Sequence, residues 1–234
     1  MRPDALTSRL EVEPFVVAHR AGNDLERLNT AAALGLPLAE ADVHGYRGRL
    51  EVRHLKTAGP LPVLWDRWKL ASARVPRLEL ETLLATAPGG PELMLDLKGH
   101  DPQLPARLLR ALARAELGRH VTVCSQDWTL LEPLRGAPDL RIVHSVGNRR
   151  ALGTLLARFA GDRLDGVSIH RRLLDPTIAA ELRTRADLLL SWPVESIAEG
   201  HRLAGLGVHG LISQAFEPLS TAFCAQPARL RAAA

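Results

Sequence analysis

The sequence predicts an α/β protein, a compact (β/α)8 (TIM) barrel, and three observations carry that expectation. Short apolar runs alternate with longer helical stretches, the pattern of parallel strands joined by crossover helices. Eight such runs are present, the number a closed barrel of this kind requires. Their C-terminal ends carry polar and charged residues while their opposite ends are apolar or turn-forming, as expected when a site lies at the C-terminal mouth. An open doubly wound sheet is the competing architecture, but the glycine fingerprint of a dinucleotide fold is missing after the first run.

Strands are expected over 15–19, 38–42, 93–97, 121–125, 140–144, 166–170, 188–192 and 210–213, each an apolar run closed by polar or turn residues. Helices are expected over 30–34, 78–87, 102–117, 128–134, 150–159, 176–185 and 197–206. The helix from Pro102 is the clearest, since Asp101 can cap its start and Gly118 can end it. Asp175-Pro176 gives a second start, with proline at the first helical position. Residues 44–77, rich in Gly, Pro and Trp, are expected to be a hairpin and loop inserted after the second strand, over the barrel mouth. With 234 residues, 46% of them apolar, the chain can bury a substantial core, and 1–234 is expected to be one domain.

Composition excludes more than it assigns. Thirty basic residues are scattered among 26 acidic ones, so the net charge of +4 builds no arm for nucleic acid. Cys124 and Cys224 match no metal or redox spacing, and Cys124, inside an apolar run, reads as a small core residue. No apolar signal segment opens the chain and no run reaches membrane-spanning length, so a soluble cytoplasmic protein is expected. The segment around 61–70, with Trp65 and Trp68, offers either a packed loop or a lipid-facing lid, and the packed loop is the expectation. The sequence assigns no oligomeric state.

Charge at the strand ends is the chemical signal. Side chains in a strand alternate faces, so Glu40 and Asp42 share one face and Asp96 and Lys98 share another. Burying such groups is costly unless they are paired or hold a metal. Glu40, Asp42 and Asp96 offer hard oxygen ligands suited to Mg2+ or Ca2+ rather than to a zinc cage. Arg20 and Lys98 can bind phosphate oxygens, and His19 and His54 can act as general acid and base because imidazole titrates near neutral pH. Each signal also has a plainer meaning. Glu40 and Asp42 could pair with Arg47 or Arg49 at the surface, Asp96 with Lys98 inside the barrel, and Trp192 could simply pack. Only their joint position at one mouth favours a site. His144 and His170 are expected to line that mouth.

Together these residues resemble the glycerophosphodiester phosphodiesterase family, including its sphingomyelinase D-like relatives. His19-Arg20-Ala21-Gly22 stands where the family has His-Arg-Gly, and Asn29-Thr30 where it ends Pro-Glu-Asn-Thr. Glu40-Ala41-Asp42-Val43 matches Glu-x-Asp-Val, and His54 follows a short hairpin as the family's second histidine does. Asp96-Leu97-Lys98 is similar to the Glu-x-Lys of most members and the Asp-x-Lys of the sphingomyelinase D-like branch. Trp192 falls at an aromatic position near the substrate, and Gly207-Val208-His209-Gly210 resembles the Gly-Val-Asp-Gly before the last strand. The resemblance implies a metal-dependent phosphodiesterase acting on small-molecule glycerophosphodiesters, releasing an alcohol and glycerol phosphate, or on lysophospholipid-like diesters. It implies His19 and His54 as catalytic, Arg20 and Lys98 on the phosphate, Trp192 in substrate contact, and Glu40, Asp42 and Asp96 as ligands of Mg2+ or Ca2+. Which histidine is the acid and which the base stays open.

Departures from the family pattern set up an alternative. Arg27-Leu28 replaces Pro-Glu, Leu55 replaces the aspartate expected to orient the second histidine, Tyr46-Arg47-Gly48-Arg49 replaces Thr-x-Asp-Gly, and Ser213-Gln214 replaces Thr-Asp. A weakened or inactive relative that binds a phosphate-containing ligand is that alternative. Schiff-base chemistry on the same barrel would need a neutral lysine, and Asp96 stands beside Lys98 to hold it protonated.

Overall fold

Apolar runs of four to nine residues build a closed ring of parallel strands. The computed structural model describes residues 14–58, 61, 63–66, 69–87, 89–115, 118 and 120–223. In chain order its strands are β1 (Phe15–Ala18), β2 (Leu38–Tyr46), β3 (Arg49–Val52), β4 (Lys56–Thr57), β5 (Val63–Asp66), β6 (Lys69–Ser72), β7 (Leu78–Glu79), β8 (Glu92–Lys98), β9 (Val121–Ser125), β10 (Leu140–Val146), β11 (Leu164–His170), β12 (Ala186–Trp192) and β13 (Gly210–Ser213). β1, β2 and β8 to β13 are the parallel set. β1 pairs with β13 on one side and β2 on the other, so the ring has no open edge. The helices are α1 (Leu25–Ala33), α2 (Leu80–Thr86), α3 (Leu104–Ala115), α4 (Arg149–Arg158), α5 (Pro176–Arg185), α6 (Ile197–Gly205) and α7 (Phe216–Phe223). They bury their apolar faces against the outside of the ring.

All eight expected barrel strands form, and β2 runs on to Tyr46 as one arm of a hairpin with β3. The two turn residues, Arg47 (φ 47°) and Gly48 (φ 84°), are both left-handed, as a tight two-residue hairpin demands. Several helix expectations are corrected. α1 starts at Leu25, not Thr30, because the Asp24 carboxylate accepts from the Glu26 N–H and caps it. Residues 78 and 79 are strand before α2 begins. Residues 128–134 form two 3-10 turns, Trp128–Leu130 and Glu132–Leu134, where Pro133 offers no N–H to continue a helix. α7, with Pro218 in its first turn, lies beyond the helices expected from the sequence. Asp175 caps α5 by accepting from the Ile178 N–H, as expected.

Inward-facing residues stack in layers. At the N-terminal end Glu92 Oε1 accepts from Arg141 (2.8 Å) and from the Thr122 hydroxyl (2.5 Å). Above them Phe15, Val17, Leu38, Met94, Val143 and Leu190 form an apolar plug, and Cys124 is a core member of it. Cys224 lies outside the described residues. The C-terminal layer is acidic. The 44–77 insertion is the β2–β3 hairpin extended by β7, plus a separate antiparallel sheet in the order β4-β5-β6. In that sheet Leu64 is buried, while Trp65 and Leu70, paired across β5 and β6, are exposed. Trp68 lies outside the described residues. Among the described residues no helix is long and apolar enough to cross a membrane.

Candidate active site

The alternation that turns Phe15 and Val17 into the barrel carries His19 to the same side. Arg20 follows in the left-handed region (φ 57°), uncommon for a residue with a Cβ, and its N–H donates to Glu40 Oε2 at 2.6 Å. Gly22 comes next for a steric reason: a Cβ there would lie 2.6 Å from Ala41 Cβ, so only glycine lets this turn approach β2. Asn23 then braces Asp42. Its Nδ2 donates to Asp42 Oδ2 (2.8 Å) and its Oδ1 accepts from the Asp42 N–H (2.8 Å). Sequence reasoning missed Asn23, although its place right after the His-Arg-Ala-Gly turn was a usable signal. Asn29, in contrast, is exposed on α1, and Thr30 donates to Glu26 O within the helix.

In-register pairing of β2 with β8 sets Asp42 beside Asp96 and His44 beside Lys98. Glu40, Asp42 and Asp96 offer oxygens that all lie within 4.8 Å of one another. The Lys98 ammonium ion-pairs with Asp96 and lies 3.0 Å from Asp42 Oδ1. Thus the Asp96–Lys98 pair does form. The surface pairing of Glu40 and Asp42 does not, because both are buried and Arg49 pairs with Glu79 instead. When ionised, three carboxylates against the Lys98 ammonium and the Arg20 guanidinium leave one net negative charge. Asp96 Oδ1 is buried with no hydrogen-bond partner. Hard oxygen donors, an orphaned buried oxygen and an excess of negative charge fit a divalent cation.

Electrostatics follow from this crowding. Burial, joined by the charges of Asp42 and Asp96, pushes Glu40 well above the usual carboxylate range, and burial raises Asp96 as well. Burial would also raise Asp42, but hydrogen bonds from His54 and Asn23 and the Lys98 charge hold it well below that range. Burial acts to lower Lys98, yet Asp96, Asp42 and Glu40 outweigh it and raise the amine, which stays protonated and unsuited to a Schiff base. Burial and then the Arg20 charge lower His19 to about 4.

The second histidine reaches the cluster from the insertion. The Arg53 N–H donates to Asp42 O at 3.0 Å, tying the end of β3 to β2. His54 Nδ1 then lies 3.3 Å from Asp42 Oδ2, and His54 Nε2 lies 3.2 Å from Asp66 Oδ2 on β5. His19 Nε2 stands 3.9 Å from Glu40 Oε2. Arg20 Nε is 3.6 Å from Asp42 Oδ2. Trp192 ends β12, its ring edge-on to His170 at 5.0 Å. His44, also unforeseen, shares the inward face of Glu40 and Asp42 by the same two-residue alternation and is buried. His144 is a correction: it does not line the mouth. It is buried against Trp128 and Phe159 on the helix side of β10, with ring centroids 5.6 and 4.9 Å away.

A (β/α)8 barrel with three carboxylates and two imidazoles at its C-terminal mouth is the class of architecture this geometry defines. No family model matches the sequence, and no curated protein matches it. Solved structures do. A Silicibacter pomeroyi protein provisionally assigned as a glycerophosphoryl diester phosphodiesterase is 22% identical, with a TM-score of 0.69 over 89% of this chain and 93% of that one. An Oleispira antarctica phosphodiesterase in complex with the product sn-glycerol-3-phosphate is 15% identical, with a TM-score of 0.69 over 87% and 94%. A Parabacteroides distasonis glycerophosphodiester phosphodiesterase is 21% identical, with a TM-score of 0.65 over 90% and 96%. The fold of this chain is the fold those structures share.

Proposed function

We propose that this chain is a metal-dependent phosphodiesterase that hydrolyses glycerophosphodiesters to an alcohol and glycerol phosphate. The observation that carries the reading is the convergence of Glu40, Asp42 and Asp96 within 4.8 Å, with His19 against Glu40 and His54 against Asp42. The barrel and its insertion act as one unit in this reading, because His54 comes from the insertion and His19 from β1.

Glu40, Asp42 and Asp96 would hold a Mg2+ or Ca2+ ion, which supplies polarisation of a phosphoryl oxygen and charge neutralisation. Arg20 and Lys98 orient the diester by its remaining anionic oxygens. His19, kept neutral at pH 7 by burial and Arg20, takes the proton of the attacking hydroxyl. His54 gives a proton to the oxygen of the leaving alcohol. Water is the attacking group, or a neighbouring substrate hydroxyl attacks first and water opens the resulting cyclic phosphate. The Oleispira neighbour, crystallised with sn-glycerol-3-phosphate, supports glycerol phosphate as the retained half. A lysophospholipid-like diester is a second substrate reading, favoured by Trp65 and Leu70 exposed together on the small sheet.

The test is release of choline and glycerol phosphate from glycerophosphocholine, and of choline from its monoacyl form, with Mg2+, with Ca2+ and in chelator. Activity that needs a divalent ion and disappears in His19→Ala supports the reading; full turnover in chelator sinks it. Lys98 already bridges two of the three carboxylates, which favours the alternative of a weakened relative that binds a phosphate ligand. Thermal stabilisation by the diesters without any product would establish that alternative.

A further inference from the structure

The sequence leaves His54 without the neighbour expected to orient it, since Leu55 is apolar. The small sheet supplies a carboxylate from elsewhere. We propose that Asp66 is a positioning residue for His54, holding the imidazole by Nε2 so that Nδ1 faces the carboxylate cluster. The inference rests on the phosphodiesterase reading for its kinetic consequence, though not for its geometry.

The main chain around His54 is fixed first. Arg53, buried, donates to Glu51 Oε2 (2.7 Å), to Leu55 O and to the Thr57 hydroxyl (3.0 Å), so it clamps the segment on both sides of the histidine. What remains free is rotation of the imidazole about its own side-chain bonds. β4 starts two residues after His54 and pairs antiparallel with β5, Lys56 opposite Trp65 and Thr57 opposite Leu64. The strand beside the histidine is therefore registered against the strand that carries Asp66. Alternation along β5 turns Leu64 and Asp66 to one face and Trp65 to the other. Leu64 is fully buried and Trp65 exposed, so the Asp66 face is the inward one. Its Oδ2 lies 3.2 Å from His54 Nε2. A carboxylate accepts only, and with Asp66 Oδ2 against Nε2 and Asp42 Oδ2 3.3 Å from Nδ1 the ring is held between two acceptors, which fixes its orientation. A partner held in a paired strand fixes ring orientation more tightly than one on a free loop.

Two measurements test this. In long-range imidazole 1H–15N spectra of the substrate-free protein, the His54 signals, identified by their loss in His54→Gln, should give the pattern of a ring held on both nitrogens in the wild type. Asp66→Ala should alter that pattern and leave His19 unchanged. In kinetics, Asp66→Ala should lower kcat by about 10- to 100-fold with KM nearly constant, Asp66→Asn should fall between, and Asp66→Ala should add nothing in a His54→Ala background. Unaltered His54 signals, or a further loss in the His54→Ala background, overturns the proposal. If Asp66→Ala does not fold, Asp66→Asn carries both measurements. If the wild type hydrolyses no diester, the functional reading fails while the spectra still decide the role of Asp66.

Discussion

The barrel buries charge at both ends of its interior, and the two ends handle it differently. At the N-terminal end the Glu92 carboxylate is met by the Arg141 guanidinium and the Thr122 hydroxyl. At the C-terminal end Glu40, Asp42 and Asp96 outnumber the Lys98 and Arg20 cations beside them, and Asp96 Oδ1 has no hydrogen-bond partner among the described residues. A matched pair recovers in hydrogen bonds part of what desolvation costs. In the acidic cluster Arg20, Asn23, His54 and Lys98 compensate only part of the charge, and proton uptake or a bound cation would supply the rest. The difference is between charge that holds a fold together and charge kept in readiness.

The largest expected effect separates the two ends directly. Glu40→Gln should cut diester hydrolysis by about 1,000-fold or more, as loss of an electrostatic stabiliser does, while leaving stability equal or higher because it removes one of three crowded carboxylates. Glu92→Ala should do the reverse, costing about 1–3 kcal/mol of stability through loss of its bonds to Arg141 and Thr122, with activity within about two-fold of the wild type. Initial rates and urea unfolding on both variants give the comparison. An active Glu40→Gln enzyme breaks it.

The acidic end was legible in sequence because strands obey a two-residue period: once β2 and β8 were placed, Glu40, Asp42, Asp96 and Lys98 had to face inward together. His19 followed from the end of β1 in the same way, whereas Arg20 reaches the site through the left-handed turn that follows it. Asp66 was not legible. It lies twelve residues beyond His54 in a segment whose pairing no periodicity announces, and only the β4–β5 register brings the two together. His144 was misplaced for a related reason. Its strand end was right, but register decides which face a residue takes, and Val143 rather than His144 points into the barrel.

His144 sharpens the comparison in a second way, because both its ring nitrogens are buried without a hydrogen-bond partner among the described residues. Burial, followed by the Arg135 charge, lowers it from 6.5 to about 4. The unfolded chain therefore takes up a proton on this residue in the range where the folded protein does not. Its contribution is intact above pH 6.5 and is lost as pH falls toward 4, by about 3 kcal/mol in all. His19 and His44, lowered to about 4 and about 3, act with the same sign. Replacing His144 by Leu should flatten the acid limb of stability against pH without touching hydrolysis at pH 7. An unchanged limb would mean that the ring is protonated and solvated as the pH falls.

The smallest effect tests whether the excess charge at the mouth awaits a cation. At a hundred times its dissociation constant, Mg2+ or Ca2+ should stabilise the wild type by about 2.7 kcal/mol, and Asp96→Asn should abolish most of that gain. Glu92→Ala, at the other end, should keep it. Lys98 provides the sharper measurement. Its ammonium already rests on Asp96 and Asp42, so it competes with an incoming ion for the same oxygens. Lys98→Met should therefore tighten metal binding, read as a lower concentration for half-maximal thermal shift, even as it weakens grip on the phosphate. Weaker metal binding in Lys98→Met would show instead that the lysine orders the carboxylates for the ion, and the mouth would then resemble the Glu92–Arg141 pair at the opposite end more than it differs from it.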